Sequence, residues 1–131
     1  MSFSSFSLDP RLQEGVRSLG FTQPTPIQLA TIPVALTGQD VLWSAETGTG
    51  KTAAYLLPLM NRLLAAQVHG HPPRALILVP TRELAIQVAE HAEQLSQPTN
   101  LRVAAVFGGM GMGDQTSRLR RGVDIIIATP G

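Results

Sequence analysis

The chain has 131 residues, 44% of them hydrophobic, with ten basic and nine acidic side chains and a formal net charge of +1. That size and composition describe one soluble globular domain or part of one, and the near-neutral balance excludes a polybasic tail, so any nucleic-acid contact must come from placed groups. The absence of cysteine excludes a disulfide framework and a thiolate metal site. No stretch approaches the roughly 18 apolar residues of a membrane span, and the opening MSFSSFSLDP lacks the basic flank and apolar run of a secretory signal, so a cytoplasmic protein with no membrane partner is expected.

Asp9 followed by Pro10 has the pattern of a helix cap and first-turn proline. Leu12, Val16 and Leu19 then recur at helical spacing until Gly20 closes the segment. Phe3 and Phe6 precede this helix as packing anchors. In GFTQPTPIQ, Gly20 to Gln28, the residues Thr25 to Gln28 have the spacing of a capping box, in which Gln28 folds back onto the amide of Thr25. Spacing favours that role. The alternative is recognition of adenine, since a carboxamide offers both a donor and an acceptor. The helical pattern continues through Leu29, Ala30, Ile32, Val34 and Leu36, bent at Pro33 and ended at Gly38.

An apolar run, Asp40 to Trp43, reads as a strand, and AETGTGKT, Ala45 to Thr52, follows it directly. After it comes a helical pattern over Ala53, Ala54, Leu56, Leu57, Leu59 and Met60 that reaches Leu64, kinked at Pro58. Strand, glycine-rich turn and helix is the setting of a phosphate-binding loop. Gly48 and Gly50 let the main chain curl around an anion so that backbone amides and the helix amino end face phosphate oxygens. In such a loop Lys51 reaches the β and γ phosphates and the Thr52 hydroxyl ligates magnesium. The strict pattern has glycine where Ala45 stands. Nine of the ten basic residues are arginine and Lys51 is the only lysine, which marks a position needing a compact ammonium on a flexible stem.

Beyond this third helix, His69 and His71 in HGHPP read as a solvated loop. Ala75 to Val79 reads as a fully buried strand. Thr81 then caps a helix whose apolar face is Leu84, Val88, Ala92 and Leu95, and Arg82 in its first turn opposes the helix dipole and so calls for an anion or carboxylate. Leu101 to Gly109 reads as a strand ending in a glycine pair, followed by a glycine-rich run and a short helix with Arg118, Arg120 and Arg121 as a solvated face. Val123 to Ala128 reads as a last buried strand, with Thr129 and Pro130 opening another helix. Four strands alternating with helices predict an α/β fold, a parallel sheet with helices on both faces. Its strand carboxyl ends carry phosphate-binding openings at Gly50, Thr81 and Thr129 and a glycine pair. One opening suits a nucleotide; the others suit a second, longer phosphate-bearing ligand, for which a nucleic-acid strand is the natural candidate.

The ordered set of segments resembles the amino-terminal part of a DEAD-box ATP-dependent RNA helicase. GFTQPTPIQ resembles the family's Q motif, AETGTGKT its motif I, PTRELAIQ its motif Ia, Gly108 and Gly109 its GG element, and TPG at residues 129–131 the start of motif Ib. The resemblance implies an incomplete RecA-like (P-loop) sheet, with residues 1–28 forming an amino-terminal helix and Q-motif segment and 29–131 a truncated first RecA-like domain. It implies ATP and Mg2+ as cofactors, with Phe3, Phe21, Gln28, Ala45, Glu46, Thr47, Gly48, Thr49, Gly50, Lys51 and Thr52 at the nucleotide, Gln28 reading adenine and Phe3 packing over it. The preference for Gln28 is thereby reversed, and Ala45 becomes normal for this loop. It further implies sequence-independent contacts to the RNA backbone through Pro80, Thr81, Arg82, Gly108, Gly109, Thr129, Pro130 and Gly131.

The 131 residues contain no Asp-Glu-Ala-Asp string and no SAT motif, so the aspartate that helps hold magnesium and the glutamate that activates water are missing. The resemblance then implies a fragment that binds nucleotide without hydrolysing it, from a parent that couples ATP hydrolysis to RNA duplex remodelling. An incomplete sheet predicts self-association through an exposed edge. Two other readings compete: another P-loop NTPase, and a non-catalytic RecA-like module that binds RNA or protein.

Overall fold

The computed structural model describes residues 2–46, 48, 50–66, 72–108 and 122–130. These form two compact units, residues 1–66 and 67–131. His69, His71, Arg118, Arg120 and Arg121 lie outside the described residues, as do Thr47, Thr49, Gly109 and Gly131.

The first unit is helical. A short 3-10 turn, Phe3–Ser5, leads into α1, Pro10–Ser18, which is capped as its sequence predicts: the Asp9 carboxylate accepts from the Arg11 amide at 2.9 Å, and Pro10 fills the first turn. Leu12 and Val16 face inward, and α1 ends where Phe21 N–H donates to the Val16 carbonyl around Gly20, whose φ is +77°. Next, α2 spans Pro26–Leu36 and α3 spans Lys51–Ala65, and these two pack along each other. The core of the unit is Leu12, Val16, Ile32, Leu56, Leu57 and Met60, all withdrawn from water.

The buried side of α2 differs from the one its periodicity suggests. Gln28, Thr31 and Ile32 are buried, whereas Leu29 and Val34 are more than a third exposed, at 38% and 39%. A helix that is apolar almost all round leaves its orientation to its neighbours, and here the polar pair Gln28 and Thr31 takes the inner side. The expected strand over Asp40 to Trp43 is also absent. Residues 40–46 pair with no other strand, and Leu42 is fully exposed. A parallel strand is stable only when neighbours satisfy its amides and carbonyls, and among the described residues none does so here.

Among the described residues, the second unit is a three-stranded parallel sheet with one long helix. In chain order it contains β1, Ala75–Leu78; α4, Arg82–Ser96; β2, Val103–Val106; and β3, Ile125–Ala128, with strand order β1-β3-β2. Register aligns Leu78 and Val106 with Ala128, so the three carboxyl ends lie at one edge of the sheet. Isoleucines at 125 and 127 are completely buried in the central strand, as expected of a strand flanked on both sides. Among the described residues strand β1 is an edge, and its Leu76 and Leu78 are each 62% exposed, against the fully buried strand its apolar run predicts. Helix α4 packs on β2 and β3 through a face that includes Ala85, Val88, Ala92 and Leu95. Leu84, expected on that face, is exposed, and Ala85 takes its place.

At the amino ends of the strands, Asp124 ties all three together. Its carboxylate accepts from the Arg74 guanidinium at 3.1 Å and from the Arg102 amide at 2.9 Å, and its main-chain carbonyl accepts from the amides of Arg74 and Ala75. Arg74 precedes β1, Arg102 precedes β2 and Asp124 precedes β3. One buried carboxylate therefore clamps the sheet at the edge opposite its strand carboxyl ends.

Candidate functional site

In the first unit the glycine-rich loop meets the start of α2. Gly50 is the residue before α3 and has φ +86°, and Gly48 has φ +83°, both in the left-handed region that glycine enters without penalty. Gly50 is also where space runs out. A Cβ there would lie 2.4 Å from Gln28 Nε2 and 2.9 Å from Thr25 Oγ1, so only bare backbone fits. Gln28, 3% exposed, uses its carboxamide twice: Oε1 accepts from the Thr25 amide at 2.9 Å, and Nε2 donates to the Gly50 carbonyl at 3.1 Å. The first contact is the capping-box bond that the spacing predicts. The second joins the PTPIQ segment to the phosphate loop, which spacing does not reveal. One hydrogen on Nε2 and one lone pair on Oε1 remain for a ligand.

Lys51 folds back across the loop, its Nζ donating to the Ala45 carbonyl at 2.6 Å. A neutral carbonyl is a modest partner for an ammonium, and a phosphate oxygen carrying formal charge would compete for it well. Thr52, in the first turn of α3, hydrogen-bonds through its side chain with Tyr55, whose phenol burial pushes up so that it stays neutral. Glu46 and Gly48 are exposed beside them. The amino end of a 15-residue helix, two left-handed glycines, one lysine and a backbone-only passage at Gly50 together fit a polyphosphate. Among the described residues no three His, Cys, Asp or Glu side chains stand close enough to hold a metal ion.

The expected aromatic residues are placed together, in a buried cluster. Phe3 is buried, meets Phe6 edge-on with centroids 5.8 Å apart, and stacks on Phe21 at 6.3 Å and 24°. Phe21 is partly exposed. Two polar residues that no motif picked out hold this segment. Gln13 Nε2 donates to the carbonyls of Phe3 and Phe6, and Asn61 Oδ1 in α3 accepts from the Asp9 amide at 2.7 Å. A lone amide on an amphipathic helix carries no sequence signal of such a role.

In the second unit the sheet register gathers the remaining expected residues at the strand carboxyl ends. Pro80 and Thr81 follow β1, Phe107 and Gly108 follow β2, and Thr129 and Pro130 follow β3. Thr81 Oγ1 accepts from the Leu84 amide at 3.2 Å and so caps α4. The Arg82 guanidinium lies 5.7 Å from the centroid of the Phe107 ring. An aromatic face, rather than a carboxylate, is thus the partner seen for the cation whose position opposes the helix dipole. Thr129 N–H donates to the Val106 carbonyl, which extends the ladder by one rung. Within this unit the edge is exposed at Pro80, Thr81, Arg82 and Gly108, and carries one arginine over an aromatic ring.

Comparison with known proteins agrees with this arrangement. A family model described as DEAD/DEAH box helicase matches residues 25–131. The chain is 53% identical over 135 residues to the ATP-dependent RNA helicase RhlB of Xanthomonas campestris pv. campestris (strain B100), covering all of this chain and 24% of that protein. It is 50% identical to the ATP-dependent RNA helicase SrmB of Escherichia coli (strain K12), covering 99% of this chain and 30% of the relative. Among solved structures, the RNA-helicase Prp28 from Chaetomium thermophilum bound to ADP superposes with a TM-score of 0.91 at 42% identity, over 99% of this chain and 32% of that one. The chain thus spans about a quarter to a third of the length of these relatives.

Proposed function

The chain belongs to the DEAD/DEAH box helicase family, and on that premise we propose that it is the nucleotide-binding portion of an ATP-dependent RNA helicase. The relatives named above are ATP-dependent RNA helicases. The observation that carries the reading to this chain's own residues is the Gln28 bridge to Gly50, because it makes one side chain part of both the phosphate loop and the segment that would face a base.

Bound ATP with Mg2+ supplies the phosphoanhydride whose cleavage drives remodelling of an RNA duplex in the whole protein. In this chain, Lys51 would exchange its Ala45 carbonyl for a phosphate oxygen, and the Thr52 hydroxyl would help hold the magnesium that the nucleotide brings. The residues of the Ala45 to Thr52 segment would contact the phosphates, and Gln28 would offer its remaining donor and acceptor to adenine, with Phe3 and Phe21 on the base side. With no Asp-Glu-Ala-Asp string among its residues, the chain holds the nucleotide without hydrolysing it. Pro80, Thr81, Arg82, Gly108, Gly109, Thr129, Pro130 and Gly131 contact the RNA sugar-phosphate backbone independently of sequence. Support for this is their convergence, for those described, on one sheet edge.

Binding of a fluorescent ATP analogue with magnesium tests the reading, with Lys51→Ala and Gln28→Ala alongside and GTP as competitor. Saturable binding by the wild type that falls at least about tenfold in Lys51→Ala, and that loses its preference over GTP in Gln28→Ala, is the expected result. Unchanged nucleotide preference in Gln28→Ala removes Gln28 from the base, and no binding by folded wild-type protein overturns the reading for this chain.

A further inference from the structure

We propose that Gln13 is a positioning residue for the base side of the nucleotide site, holding Phe3 against Phe21 by clamping the turn that carries Phe3. The inference rests on the nucleotide reading above. Its evidence is the way a single amide is used: Gln13 Nε2 donates at 3.0 Å to the Phe3 carbonyl and at 3.1 Å to the Phe6 carbonyl. Both of its hydrogens are thereby spent on one short turn.

Apart from Gln13, the turn is held by the burial of Phe3 and Phe6 and by bonds within the turn, the Ser5 hydroxyl donating to the Ser2 carbonyl at 2.6 Å. It is three residues of 3-10 helix, with the Phe6 amide donating to the Phe3 carbonyl and the Ser5 amide to the Ser2 carbonyl. A helix of one turn does not persist alone. The two carbonyls that Gln13 engages each accept a backbone amide as well, from Phe6 and Leu8 respectively. The clamp therefore uses their second lone pairs.

The same helix also sets the other ring. Phe21 N–H donates to the carbonyl of Val16, one turn beyond Gln13 on α1. Helix α1 thus grips Phe3 from Gln13 and Phe21 from Val16, and the stacking of the two rings follows from one rigid element. Asn61 docks Asp9, the residue before α1, onto α3, whose first residue is Lys51. The Gln13 bonds reach the carbonyls of Phe3 and Phe6 rather than the phosphate loop, so loss of the clamp should disturb the base side and spare the phosphate side.

That separation gives the test. Wild type, Gln13→Met, Gln13→Glu and Phe3→Ala are titrated with Mg-ATP and, separately, with inorganic tripolyphosphate, after circular dichroism has shown that each is folded. Methionine matches glutamine in length but has no N–H. Glutamate, the second variant should Met not fold, keeps the polarity and turns donors into acceptors facing two carbonyls. A loss of ATP affinity of roughly fivefold or more in the Gln13 variants and in Phe3→Ala, the effect of about one net hydrogen bond, with tripolyphosphate affinity held within about twofold, is the expected outcome. If Phe3→Ala lowers the ATP-to-tripolyphosphate ratio and the Gln13 variants do not, the positioning role is overturned and the nucleotide reading stands. If none of the variants moves the ratio, Phe3 is not at the base and the role falls with it. Failure of folded wild type to bind ATP overturns both.

Discussion

The side-chain amide of Gln28 and the carbonyl of Gly50 are hydrogen-bonded across 22 residues of sequence, at 3.1 Å, with no room between them for a Cβ on Gly50. The close approach and the left-handed φ of +86° make Gly50 replaceable by nothing larger.

Gly50→Ala should therefore unfold more easily than wild type by at least about 2 kcal/mol, combining the cost of a positive φ with displacement of a buried, bonded amide. Gly48→Ala is the control: its φ is similar, +83°, but open space surrounds it, so about 1 kcal/mol is expected. Urea unfolding of the two variants checks the difference, and equal midpoints would contradict the Gln28 contact.

Asp124→Ala should cost about 3 kcal/mol in the same assay, the usual penalty for stranding one partner of a buried ion pair. The carboxylate is buried and serves Arg74 and the Arg102 amide together. Asp124→Asn, which keeps the shape and one acceptor, should fall between Ala and wild type.

Burial of His91 in α4 lowers its pKa from the ordinary 6.5. The unfolded chain then takes up this proton at higher pH than the folded one. The neutral-imidazole contribution is intact above pH 6.5 and is lost as pH falls from there through the depressed folded value. His91→Gln should flatten that part of the stability profile, measured by urea midpoints between pH 7.5 and 5.

Leu76 and Leu78 project from the same face of an edge strand, both 62% exposed. This chain should self-associate at high concentration through that strand, and Leu78→Lys should suppress the effect. Sedimentation velocity over a concentration series checks it, with a wild type that stays monomeric being the contrary result.

Much of this arrangement is legible in residues that act locally. A cap such as Asp9 or Thr81, a first-turn proline, the Gln28 capping bond and the glycines just before Lys51 exert their effects within four residues, so spacing alone reveals them. The order of segments resembling one helicase family was likewise readable, and the family model bears it out. What sequence could not supply was which side of an element is covered. Leu29, Leu42, Leu76, Leu78 and Leu84 all read as core and all stand exposed, while Gln28, Thr31 and Asp124 are buried. An apolar side chain is buried only if another element arrives to cover it, and a polar one is buried cheaply only if partners distant in sequence meet it. The Gln28 bridge to Gly50, the Gln13 clamp, the Arg82 contact with Phe107 and the three-strand tie at Asp124 are such meetings. Only the tertiary structure could decide them, because each depends on backbone brought close by packing rather than by the spacing of residues along the chain.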